Sequence, residues 1–269
     1  MRSDRARIAE LVSLTVVAAA VGSLLDGIPF WGAVICLAAV SGWGAFAFLL
    51  GYEPRGVPIE SLAVPVVAAF GTLGIAHLVG AGPLALVALV VGGAVLGVSL
   101  ALEKRLLGPE DAAGARRRNQ LLELMLVVAF LAFAGVAGGI PGAIVEPHVA
   151  AGAIVPPLDQ PSLVALAAGD AVVALVLGYR LAALRAVAVR EAAWAAGTYA
   201  VVVAVVAAAL RALALPRLLG PAVLTVAFYL WASYRAAPGA ERRSFAWLWG
   251  YGILVVAAAL TVAWNMLLR

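Results

Sequence analysis

The sequence predicts an all-α, polytopic transmembrane helix bundle, and three observations predict it. Hydrophobic residues fill 65% of the 269 positions and charged residues only 12%. Nine apolar stretches of about membrane length are separated by short polar or glycine–proline segments. The lysines and arginines fall almost entirely in alternate gaps between those stretches. A soluble domain of this size has to cover itself and uses about 25% charged residues. A chain with so few can fold only where most of its surface meets lipid, and the mean hydropathy of +1.09 agrees. The length fits one integral membrane domain over residues 1–269.

A helix needs roughly 20 apolar residues to cross a bilayer. The predicted spans are 8–25, 30–50, 61–79, 83–102, 120–140, 162–179, 192–212, 219–235 and 244–268. Helices are the expected element because lipid offers no partner for an unpaired backbone amide. The first span follows a basic head and contains Ala18-Ala19-Ala20, but its apolar run continues past those alanines. It therefore reads as an uncleaved span rather than a signal peptide. Asp26-Gly27-Ile28-Pro29 closes the first hairpin, Gly80-Ala81-Gly82-Pro83 joins the third span to the fourth, and Gly138-Gly139-Ile140-Pro141-Gly142 ends the fifth.

Charge sets the expected orientation. With the N-terminus in the cytosol, the inner side holds every basic residue but three; the exceptions are Arg211, Arg217 and Arg269. Short cytoplasmic loops carry such an excess of Lys and Arg. Nine spans then place the C-terminus outside the cell membrane. Tyr52, Tyr179 and Tyr234 at inner boundaries, and Trp247, Trp249, Tyr251 and Trp264 near the ends of the last span, fit the headgroup level that amphipathic rings prefer. The net charge of +4 clusters beside apolar runs, which points to anionic lipid headgroups and away from nucleic acid.

Two segments echo each other. Gly42 to Tyr52 and Gly169 to Tyr179 share a glycine, an alanine and a final Leu-Gly-Tyr at matching positions. Ile8-Ala9-Glu10-Leu11 and Leu121-Leu122-Glu123-Leu124 open the first and fifth spans; Gly82-Pro83 and Gly220-Pro221 open the fourth and eighth. These landmarks predict parallel repeat halves over 1–110 and 111–240 plus an extra helix at 244–268, an arrangement known in transporters.

Asp170 is the most informative residue. A carboxylate at mid-bilayer costs roughly 2.5–3.5 kcal/mol on insertion scales, so it should face protein or water. It is either a relay or anchor for a solute, or a structural group bonded to Ser41, Thr72, Tyr199 or Thr225 at comparable depth. His77 and Arg211, near the outer ends of the third and seventh spans, either line a vestibule above Asp170 or reach up to the interface. Glu10 and Glu123 are expected in the first turns of their helices, where they complement the dipole. The long outer loop, 141–161, carries Glu146, His148 and Asp159 but no ligand motif, and its apolar centre reads as a re-entrant or interface-lying segment that caps the bundle. The inner loop, 103–120, reads as solvated and charged, and Arg180, Arg185 and Arg190 as inner-boundary cations. Gly93 with Gly97, and Gly138 with Gly142, are small-residue pairs that let helices approach.

No phosphate-binding loop, serine elbow or paired intramembrane acids occur. No cofactor is expected, and with two histidines and one cysteine no metal site. The sequence thus points first to a transporter-like permease for a small solute or lipid. A non-catalytic subunit or scaffold of a membrane complex comes second, with another membrane protein as partner, and a membrane enzyme third.

Overall fold

The computed structural model describes residues 4–52, 56–107, 114–143, 159–185, 188–212 and 218–236, with single positions between 249 and 260. The elements in order are α1 (Asp4–Gly22), α2 (Gly27–Leu50), a short 3-10 helix (Ile59–Leu62), α3 (Ala63–Val79), α4 (Pro83–Leu106), α5 (Gly114–Gly138), α6 (Gln160–Ala183), α7 (Val189–Ala212) and α8 (Leu219–Ala236). No strand occurs among the described residues. Each α-helix coincides with one of the first eight expected spans.

Six of the helices are long and apolar enough to cross a membrane: α2, the 3-10 helix with α3, α4, α5, α6 and α7. At 1.5 Å per residue, a helix of 24 residues runs about 36 Å, more than the roughly 30 Å of hydrocarbon. The chain is thus a multi-pass membrane protein. The count of nine adds α1, α8 and segment 244–268, and that last segment lies mostly outside the described residues. In α1, Asp4, Arg5, Arg7 and Glu10 occupy the first two turns. Its charge-free run, Leu11–Gly22, reaches only about 18 Å. In α8 the apolar run is bounded by Pro221 and Arg235.

Several boundaries differ from expectation. α4 continues to Leu106 and α5 begins at Gly114. Glu103, Lys104 and Arg105 are therefore helical, as are Arg116, Arg117 and Arg118. Glu123 falls in the third turn of α5, and Glu10 in the second turn of α1, so neither sits at a helix N-terminus as expected. α6 extends to Ala183 and α7 starts at Val189, so Arg180 and Arg190 are both helical. The expected outer loop lies outside the described residues over 144–158.

The turns follow from residue type. Gly80, at φ +75, ends α3 in a conformation that side chains disfavour. Gly82 and Pro83 then start α4, with proline in the first turn, where its missing amide costs nothing.

The polar contacts sort the helix ends. At one end the Tyr52 hydroxyl and the Lys104 ammonium both donate to the Asp4 carboxylate, and Lys104 lies 4.0 Å from the Tyr52 ring centroid. Those hydrogen bonds, from Lys104 foremost, hold the Asp4 carboxyl below the usual carboxylate range. Arg117 Nη1 donates to the Arg105 carbonyl at 3.1 Å at the same end. At the other end His77 Nδ1 is 2.9 Å from the Ser23 carbonyl, and His77 packs on Phe30 at 4.3 Å between ring centroids. Successive helices therefore alternate in direction. Among the described residues, every lysine and arginine except Arg211 belongs to the Asp4 end, called here the basic end.

α3 lies at the centre and touches α1, α2, α4, α5 and α6. Glycine makes this position accessible. A Cβ on Gly74 would stand 2.2 Å from the Gly135 Cα, and one on Gly138 3.1 Å from the Gly74 carbonyl oxygen. Backbones thus touch across α3 and α5. Gly92 similarly accommodates Thr72, whose hydroxyl would lie 2.1 Å from an added Cβ. Large apolar side chains face outward around the bundle, among them Ile35, Trp43, Val90, Trp194 and Val205. Such a belt is tolerable where lipid covers it.

Candidate functional site around Asp170

α6 buries one stripe: Leu166, Asp170, Val173, Ala174, Leu177, Arg180 and Leu181. Spacings of three and four put these residues on one helical face. Asp170 and Arg180 are thus buried for the same reason as their leucine neighbours. Gly169 lets this face approach α5, because a Cβ there would meet Val136 at 2.7 Å.

Asp170 is 1% exposed, and its Oδ1 has no hydrogen-bond partner among the described residues. A cavity of about 50 Å³ reaches it. Phe133 and Ala137 of α5, Ala143 beyond it, Leu166, Ala207 and Leu210 of α7, and Gly220, Pro221 and Leu224 of α8 form its walls. The cavity therefore extends toward the end where α5 and α7 finish and α8 begins, opposite the basic end. One water occupies roughly 10–15 Å³ of such space, so the cavity suits a few waters or one small group. Among the described residues of the lining, Asp170 alone is ionisable.

Toward the basic end, Asp170 is followed by packed side chains. Val173, Ala174 and Leu177 are buried against the core that includes Met125, Tyr199 and Phe228. Tyr199 fills the notch at Gly178, where a Cβ would lie 2.7 Å from its ring, and packs on Phe228 at 5.3 Å.

The expected hydroxyl partners of Asp170 are engaged elsewhere. Ser41 donates to the Ala38 carbonyl at 3.2 Å, Thr72 to Ala68 at 2.7 Å and Thr225 to Pro221 at 2.9 Å. Each bond stays within its own helix, as Ser and Thr commonly arrange when no external partner presents itself. Tyr199 lies beside Gly178, two turns nearer the basic end than Asp170. His77 is outside the cavity lining and belongs to the Ser23–Phe30 corner, with Nε2 3.9 Å from Asp26. Arg211 is in the last turn of α7, next to the lining residue Leu210, and its side chain lies outside the described residues. Of the expected residues whose side chains are described, only Asp170 itself lines the cavity.

Sequence reasoning missed a second buried polar site. Arg180 Nε donates to Glu103 Oε1 at 3.0 Å, and Nη2 to Oε2 at 2.5 Å. Glu103 is fully buried and Arg180 is 5% exposed. Arg180 is therefore no headgroup cation: it is half of a two-point ion pair joining the parallel helices α4 and α6. The signal available was periodicity. Leu89, Leu96, Leu100 and Glu103 share one stripe of α4, as Asp170 and Arg180 share one of α6.

Among the described residues, no three His, Cys, Asp or Glu side chains gather closely enough to hold a metal ion. No protein family, curated protein or solved structure matches the chain.

Proposed function

We propose that this chain is a transporter-like permease of the cell membrane, moving a small solute or lipid, with Asp170 as its proton- or solute-binding carboxyl. The observation that carries the reading is the Asp170 oxygen, without a partner among the described residues, at a cavity displaced toward the end opposite the basic one. A buried polar atom without a partner is costly, on the order of 1–3 kcal/mol. Here the missing bond is supplied through the cavity. The apolar walls favour a ligand with an apolar body and one polar head, or a proton carried on water.

The basic end is assigned to the cytosol by the positive-inside rule, so the cavity faces outward. The parallel repeat has support in the neighbour pattern: α1 meets α2 and α4 as α5 meets α6 and α8, and α3 meets α2 and α4 as α7 meets α6 and α8. With nine spans, an N-terminal tag is protected in intact cells and a C-terminal tag is reached by an impermeant label. Equal labelling of both tags overturns the orientation.

Asp170 is tested by pH-difference infrared spectroscopy on the reconstituted chain. A titrating carboxyl band that exchanges rapidly in deuterated water, and that Asp170→Asn removes without loss of fold, is the expected result. A carboxyl that neither titrates nor exchanges is dry, and transport through it is then excluded. One observation favours the second reading, a membrane scaffold: among the described residues, Asp170 has apolar walls on one side and packed side chains on the other, with no further polar residue to continue a path.

A further inference from the structure

We propose that the groove between α1 and α4 holds one acyl chain of an anionic phospholipid, with the lipid phosphate on Arg5 and Arg105. The groove is a depression of about 670 Å³ on the outer surface of the bundle, far from the Asp170 cavity. Ile8, Val12 and Val16 form one wall, and Val90, Ala94 and Val98 belong to the other. Its volume falls in the range of roughly 300–1,000 Å³ typical of small-molecule sites.

Two independent features select the occupant. The first is length. The lining runs from Leu89 to Ala101 on α4, about 18 Å at helical rise. One leaflet of hydrocarbon is about 15 Å thick, half of a core of roughly 30 Å. The groove thus begins at the headgroup level and ends near mid-membrane, the path of a single acyl chain. The second is charge. Arg5 lines the mouth, and exposed Arg105 lies one turn beyond Ala101 on the same face of α4. Lys104 beside them is already engaged by Asp4. One guanidinium in the lining of an apolar slot, with a second one turn past its end on α4, matches a phosphate joined to an acyl chain.

The small residues in the floor do not by themselves make this site. Gly93 serves α1: an added Cβ would meet Val16 at 2.8 Å and Val12 at 3.3 Å. It lowers α1 onto α4 and so creates the slot, rather than offering a flat face to a second chain.

The test is native mass spectrometry of the full chain released from detergent with equal amounts of phosphatidylglycerol and phosphatidylcholine. The wild-type chain is expected to retain one phosphatidylglycerol in preference to phosphatidylcholine. Arg5→Gln with Arg105→Gln should reduce that preference about tenfold or more, since each cation near the surface contributes to anionic lipid binding. Ala94→Leu, a substitution at an exposed position, should fill the slot and abolish retention of either lipid. Equal retention of both lipids by all three chains would mean an unselective lipid annulus and overturn the proposal. A dimer that Ala94→Leu dissociates would make the groove an interface between copies and overturn it equally.

Discussion

Arg180→Ala is expected to destabilise the bundle by about 3–5 kcal/mol, read as a lowered midpoint of unfolding in detergent. The basis is the desolvation of its partner. Glu103 has no exposed surface and spends both oxygens on the Arg180 guanidinium. Removing one member of a buried pair leaves an uncompensated charge, and such losses cost about 3–5 kcal/mol. Glu103→Ala should cost a similar amount, because Arg180 is then buried alone. The double variant Glu103→Leu/Arg180→Met should recover most of the loss, since buried pairs replaced by apolar residues of like volume are often neutral or better. Arg180→Lys should recover little: a point charge cannot reproduce a planar two-point contact. Additive losses in the double variant would show that the two side chains act separately and would contradict the pairing.

Gly74→Ala should be the most damaging glycine-to-alanine change among the described residues. The new Cβ would lie 2.2 Å from the Gly135 Cα, where real contacts are essentially never under 3.0 Å. No side chain can rotate aside, because the obstacle is backbone, so α3 and α5 must separate. Over-packing typically costs about 1–3 kcal/mol, and more where nothing can yield. We expect the upper end or beyond, with loss of the folded protein in mild detergent. Gly32→Ala is the control. Nothing lies within 4 Å of its Cβ position, and its midpoint should move by less than about 1 kcal/mol. Equal effects at both positions would mean that the α3–α5 backbone contact is not present.

Much of this architecture was legible in the residues. Membrane helices announce themselves because lipid demands an unbroken apolar surface and internally satisfied amides. The breaks at Gly80–Pro83 and Asp26–Gly27 fall where glycine and proline permit them. The buried stripe on α6 is readable too, which is why Asp170 stood out. What could not be read was adjacency. Arg180 looks like any boundary arginine until its end of α6 is known to meet the end of α4 that carries Glu103. Glu103 looked like the start of a loop because it precedes two basic residues. Likewise, Ser41, Thr72 and Thr225 share a depth with Asp170, but each bonds to a carbonyl on its own helix, and sequence depth does not reveal that choice. The glycines at 71, 74, 135 and 138 were visible, yet only the packing shows that they face one another.

The Glu103–Arg180 pair also bears on how the protein is made. A ribosome delivers the carboxylate first, and its partner follows 77 residues later. At about 5–20 residues per second, α4 waits about 4–15 s with an acid one turn from its end and no counter-ion. During that interval the acid must stay near the water-rich border of the bilayer. The pair can close only once α6 has been made, so an early helix depends on a later one to neutralise its buried acid.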